Sequence, residues 1–352
     1  MAPSFAEVLE IIRPWISKAL IDGQGWERML ALGRGLPADV ANYWCAFEFR
    51  LQDPSPEADL SISIWSHGLV ARHYVNRGKA ADANAADVAF AELLQESERD
   101  GSFLSRVIGG VILEYDLAAE SSPRLPGIFL APDELWDHGY RGHTNPGLLT
   151  AVLAAATARP ECDEQRRAVE TLFRALPASA SIPYAGVFPG RGSDAIRLLI
   201  AGIEPAGLPS LLERANWPGS PGAVAAAVSE YCDLTPCITV ALDVGRNGIS
   251  ARLGLEMFQS PKPTRRREDS PEVWLQLIGR LVKRDLCLPE KAAGLQDAAD
   301  LALISDPASG LRTWRGINHI KIALHGDQVE AKAYVFIERP WLTMAEFLRV
   351  FR

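Results

Sequence analysis

The chain has 352 residues, 48% hydrophobic and 23% charged, with a mean hydropathy of zero. That length and balance predict an ordinary globular chain with a large core, read here as one domain over 1–352. A net charge of −8 argues against a nucleic-acid binder, which would carry a basic domain or stripe. Five scattered cysteines imply no disulfide framework and fit a reducing cytoplasm. No segment has the ~18 apolar residues of a membrane helix, and the N-terminus lacks the basic start and apolar run of a signal peptide, so no membrane partner is expected.

In chain order, residues 4–20 read as an amphipathic helix, with Phe5, Val8, Leu9, Ile12 and Trp15 at helical spacing. Trp26–Leu36 is a second helix, so 4–36 forms an N-terminal helical segment. Three strand-like runs follow: Tyr43–Leu51, Leu60–Trp65 and Leu69–Val75. The last two are expected to form a hairpin across Ser66, His67 and Gly68. The Ala-rich residues 79–100 are helical. Val107–Leu117 is a strand with Glu114 and Asp116 on one parity, and 121–132 is a Pro-punctuated loop around the short run GIFLA. Residues 146–176 read as two helices broken near Pro160. Tyr184–Phe188 and Ala195–Ile203 make a hairpin across PGRGSD. Leu208–Arg214 and Gly222–Tyr231 are short helices. Cys237–Val244 and Ile249–Phe258 pair across Asn247-Gly248, a hairpin turn signal. A charged loop, SPKPTRRREDS, leads to a helix over Val273–Lys283 and another from Pro289. Ile317–Ile337 is the strongest hairpin, and 341–352 a closing helix.

Helices thus alternate with antiparallel hairpins over 40–338, with about ten strands in all. Hairpins cannot build a parallel sheet. A large antiparallel sheet tends to curl, and closure removes its edges. The expected fold class is α+β: a β-barrel ringed by helices, with an open sheet as the alternative.

Strand parity sorts the side chains. In the last hairpin Ile320, Ile322, Leu324, Ala331, Ala333, Val335 and Ile337 share the aliphatic faces. His319, Lys321, Ala323, Glu330, Lys332, Tyr334 and Phe336 share the other. The same sorting puts Arg197, Arg252, Glu256 and Phe258 opposite aliphatic residues, and Arg72 with Tyr74 in 69–75. One reading is a wet outer face, where charges are routine. The other is a lumen whose ring of cations receives a phosphate-type anion, since arginine forks and lysine ammoniums suit phosphate oxygens. Lys321 and Lys332 should lie across the hairpin from each other and would repel unless an anion or a carboxylate stands between them; Glu330 is the nearest carboxylate on that face.

Helix pairs alternating with antiparallel hairpins, and cations beside aromatics on one strand face, resemble the aromatic prenyltransferases of the ααββ-barrel type. The stretches ITVALDVGRNGISARLGLEMF and NHIKIALHGDQVEAKAYVFI carry the likeness. The resemblance implies a transferase that moves a prenyl group from a prenyl diphosphate to a peptide or aromatic natural-product acceptor. It implies Arg72, Arg197, Arg252, Lys321 and Lys332 for the diphosphate, and Tyr74, Phe258, Tyr334 and Phe336 as the aromatic shield of the allylic cation. Glu114 or Glu256 would orient or deprotonate the acceptor. The prenyl diphosphate is a co-substrate and no resident cofactor is implied, magnesium being an option. With only seven tyrosines, the chain departs from a tyrosine-rich shield. The alternative, from another class, is a non-catalytic binding partner or a tailoring enzyme of other chemistry in peptide natural-product biosynthesis.

The remaining motifs are weaker. His138 and His143 sit in an acidic loop that reads as solvated. Cys232 and Cys237 lack the second pair of a zinc site. PGRGSD lacks the Gly-Lys-Ser/Thr of a phosphate loop and reads as a hairpin turn. Lys262–Arg267 is a solvated charge run. No DDxxD run is present, which argues against a metal-clustered mechanism of the terpene-synthase kind.

Overall fold

The computed structural model describes residues 4–38, 40, 44–64, 69–108, 110–117, 125–131, 146–160, 162–235, 237–260 and 269–338. Helix pair and hairpin alternate five times. Helices α1 (Phe5–Ile12) and α2 (Gly23–Arg34) precede strands β1 (Trp44–Arg50) and β2 (Ala58–Ile64). Next come α3 (Leu69–Arg77), α4 (Ala85–Glu98), the short α5 (Phe103–Val107), β3 (Gly110–Tyr115) and β4 (Gly127–Ala131). The third unit is α6 (Pro146–Ala155), α7 (Asp163–Ala175), β5 (Ser181–Val187) and β6 (Ile196–Ala201). The fourth is α8 (Leu208–Arg214), α9 (Pro221–Tyr231), β7 (Cys237–Gly245) and β8 (Gly248–Phe258). The last is α10 (Pro271–Lys283), α11 (Pro289–Ala299), the short β9 (Ala302–Asp306), then β10 (Leu311–His325) and β11 (Gln328–Glu338).

Ten strands close into an antiparallel barrel in the order β1 to β8, β10, β11, with β11 pairing back onto β1. The short β9 pairs with the first part of β10, in line with β8 along the same edge. Each unit leaves its hairpin connection at the same end of the barrel. Two of these connections are two-residue turns, Arg246-Asn247 and Gly326-Asp327, where Gly326 (φ 60°) in its turn and Gly248 (φ 101°) just after the other take the positive φ that side chains resist. The helices start where their sequences say they should. Asp22, Asn84 and Ser220 accept backbone N–H bonds at the starts of α2, α4 and α9, and proline opens α9, α10 and α11.

The core lies between barrel and helices. Phe47, Phe49, Leu60, Leu255, Ile320, Ile322 and Val335 on the outer strand faces are 0% exposed and join Leu9, Met29, Leu277 and Leu281 of the helices in one apolar cluster. Phe129, Phe188, Tyr334 and Phe336 are also buried but stand apart from that cluster, because they project to the inner face. Among the described residues no helix is long and apolar enough to cross a membrane.

Several expectations need correction. Leu69–Val75 is not a strand but most of α3: Ala71, Tyr74 and Val75 are buried at helical spacing while Arg72 is exposed. Seven residues fit either period, and β2 already has both edges taken by β1 and β3. GIFLA, read as part of a loop, is β4 and pairs on both sides. The stretch between the Pro289 helix and the Ile317–Ile337 hairpin, which carried no strand reading, supplies β9 and the start of β10. The first helix ends at Ile12, where Arg13–Trp15 tightens into a single turn around Pro14. His138, His143, Lys262–Arg267 and the closing helix 341–352 fall outside the described residues.

Candidate functional site

A cavity of about 590 Å³ occupies the hairpin end of the barrel lumen. Parity puts its lining there: alternate residues of every strand must point inward once the sheet closes. Six cations line it, Arg50, Arg191, Arg197, Arg252, Lys321 and Lys332, together with seven carboxylates, Glu48, Asp53, Asp59, Glu114, Asp116, Asp243 and Glu330. Small residues make part of the wall: Ala241, Gly254 and Ala323 sit side by side on β7, β8 and β10, and Ala331 lies on β11, while Tyr334 is the aromatic ring that lines it.

Each cation holds a carboxylate from another part of the barrel. At the mouth, Arg191 in the β5–β6 connection reaches across to β3, bonding Glu114 and Asp116 at 2.6 Å. Arg197 on β6 grips Asp243 on β7 in a two-pronged pair at 2.7 and 2.9 Å. Both guanidiniums lie over the Phe188 ring, 3.9 Å and 4.5 Å from its centre. Arg252 meets Glu330 loosely at 3.4 Å, and Arg50 bonds Asp59. Deeper, Lys332 and the Tyr334 hydroxyl of β11 both donate to Glu48 of β1, and Lys321 of β10 donates to Glu256 of β8 at 2.9 Å. The Glu330 partner expected for Lys332 is therefore replaced by Glu48, because barrel closure lays β1 against β11.

Burial and charge compete at these groups. Burial by itself would push the Glu48 carboxyl up. The Lys332 charge, the hydrogen bonds from Lys332 and Tyr334, and the Lys321 charge outweigh it and hold Glu48 well below the usual carboxylate range. Glu256 is likewise lowered, its burial overcome mainly by the Lys321 and His319 charges. Asp243 is lowered as the Arg197 pair outweighs its burial. Burial first, and then the Glu48, Glu114 and Glu256 charges, push the Tyr334 phenol well up, so it stays a donor.

Beneath the ion pairs the rings stack. His319 lies 4.0 Å from Tyr334, nearly parallel, and 4.7 Å from Phe258. Its Nδ1 is 2.7 Å from the Asn318 side-chain amide. Phe336 is buried on the same strand face, against Gly316, where a Cβ would come within 3.0 Å of the ring.

The structure brings together Arg197, Arg252, Lys321, Lys332, Glu114 and Tyr334 around the chamber, with Glu256, Phe258 and Phe336 on the same inner strand faces. It separates Arg72 and Tyr74, which sit on helix α3 outside the barrel, Tyr74 packing on Phe90. Sequence reasoning missed Glu48, Arg50, Asp59, Asp243 as a site residue, and Arg191. Glu48 had a signal: an acid on the parity opposite Cys45, Phe47 and Phe49. Arg191 had none, being in a turn motif.

Among the described residues no cluster of three or more histidines, cysteines or carboxylates is arranged to hold a metal ion. No protein-family model matches the chain, and no curated protein is similar to it. The fold and site define an α+β protein built on a closed ten-stranded antiparallel barrel with an ion-paired lumen. That architecture is consistent with the ααββ prenyltransferase barrel and not specific to it.

Proposed function

We propose that the lumen binds a prenyl diphosphate and transfers its prenyl group to a peptide or aromatic acceptor. The observation that carries the reading is the adjacency of Lys321 and Lys332, opposite each other on β10 and β11, to the stacked rings of Tyr334, His319 and Phe258. Two ammoniums and the Arg197 and Arg252 guanidiniums can stabilise charge building on the leaving diphosphate. The allylic carbon–oxygen bond breaks with its electron pair going to the diphosphate. The rings beside the lysines stabilise the resulting cation through their faces. The acceptor's nucleophilic atom then gives its electron pair to that carbon, and its proton passes to a carboxylate at the chamber, a role we assign to Glu114. Glu48, held strongly ionised, is suited to accept a hydrogen bond that orients the acceptor, and Glu256 backs Lys321. Arg72 and Tyr74 take no part.

One observation favours the second reading, a non-catalytic binding barrel: every lining cation already holds a carboxylate, so the chamber has no excess positive charge. A single experiment separates the two. Dimethylallyl or geranyl diphosphate is titrated while following fluorescence from the nine tryptophans, then mixed with tryptophan- and tyrosine-containing peptides and analysed by mass spectrometry. Saturable binding plus a prenyl mass gain supports transfer, and binding without mass gain supports the second reading. No binding at millimolar ligand sinks transfer and moves the reading to the second.

A further inference from the structure

Lys321 and Lys332 face each other directly across the β10–β11 pair. Two ammoniums so placed repel, and each is anchored by a buried carboxylate from the strand beyond it. The two anchors differ. Glu48 is held through both oxygens, by Lys332 on Oε1 and by the Tyr334 hydroxyl on Oε2. Glu256 is held by Lys321 through Oε1, and the residue across from it on β7 is the neutral Thr239. An ammonium has three N–H donors, so both lysines have donors to spare for an anion entering from the mouth.

We propose that a phosphate-type anion bound between Lys321 and Lys332 drives a proton onto Glu256, so that the chamber takes up one proton together with its ligand. The inference rests on the reading of the lumen as a diphosphate site. Without the anion, Lys321 offsets the cost of keeping a carboxylate at a position only 6% exposed. With it, the same ammonium is shared with a phosphate oxygen, and a new negative charge stands close by. Burial and like-charge repulsion then act in the same direction and favour the neutral acid. The proton adds to a carboxylate oxygen from solvent, and no other bond changes.

The surroundings of Glu256 assign the proton to it. From β10 it faces Lys321 and His319. From β6 it senses Arg197, whose charge is already met by Asp243 of β7. From β11 the nearby Tyr334 is a phenol committed to Glu48 of β1. Glu48 keeps its charge because a second donor remains when Lys332 is shared.

The test titrates inorganic pyrophosphate into the full chain and into Glu256→Gln across a pH series. Taking the ratio of the two affinities cancels pyrophosphate's own protonation. At alkaline pH the variant, with a neutral amide in place of the carboxylate, binds about tenfold more tightly. Wild type closes that gap as pH falls, by up to about tenfold per pH unit. Infrared difference spectra of wild type with and without pyrophosphate add a readout that needs no variant to fold: a carboxylic-acid carbonyl band appears on binding. A pH-independent ratio, or wild type binding with no acid band, overturns the inference and leaves the lumen anion site standing. No pyrophosphate binding, or binding unmoved by Lys321→Ala and Lys332→Ala together, overturns the lumen reading itself and the inference with it.

Discussion

Phe47 and Glu48 are neighbours on β1, both buried, and they are buried by different means. Phe47 faces out, 0% exposed, packed edge-on against Trp26 of α2 with ring centres 6.0 Å apart. Its burial is favourable by itself, since removing apolar area from water stabilises any chain that can fold around it. Glu48 faces in, 4% exposed, and its burial is unfavourable until Lys332 and Tyr334 arrive from β11. The outer face of the barrel wall therefore holds the fold together through the apolar area it buries, with no partner charge required. The inner face is held only as a matched set, which is what a site needs when it must hold charges in fixed positions.

The largest expected effect tests the outer face. Phe47→Ala should cost about 3–5 kcal/mol, read as a lower denaturant midpoint, while pyrophosphate affinity of the folded fraction stays the same. A comparable loss of affinity would mean the two faces are not separable. Next, Lys332→Ala should cost about 3 kcal/mol, because it leaves Glu48 buried without its cation. Lys332→Met combined with Glu48→Gln should recover much of that, and a double-mutant cycle showing no coupling would refute the matched-set account.

Acid should act on the inner face first. Glu48, Glu256 and Asp243 have folded-state proton affinities below their ordinary values. Their stabilisation is complete above the unfolded carboxylate range near pH ~4 and is lost as pH falls through the lower folded values. The melting temperature should hold steady from neutral pH downward and fall only in that acidic window. A decline that begins near neutrality would point to other groups.

Gly254→Ala should be smaller, about 1 kcal/mol in stability, because a Cβ there would lie 2.6 Å from Lys321 Cε and 3.1 Å from Ala241. The lysine must shift, so anion affinity should drop more than stability does. Least of all, Arg252→Ala should change stability by under about 1 kcal/mol, since its 3.4 Å pair with Glu330 is exposed on both sides. A marked fall in melting temperature would show that the mouth pair is structural.

The sequence by itself determined the two faces of the strands it could sort by alternation, β6, β7, β8, β10 and β11. Alternation assigns Lys321, Lys332, Tyr334, Arg252 and Arg197 to one face and Ile320, Ile322, Val335 and Leu255 to the other, because a strand's side-chain period is a local property of its backbone. It misassigned Arg72 and Tyr74, where seven residues fit two periods and neighbouring strands decided. It could not supply partners. Glu48 and Lys332 lie 284 residues apart and meet only because β11 closes onto β1. Arg191 reaches Glu114 and Asp116 from a turn whose residues advertise nothing but a turn. Whether a charged strand face looks at water or into a lumen depends on closure of the sheet, and closure is a property of all ten strands at once. The tertiary structure decided that the cations face inward, and that each meets a carboxylate there.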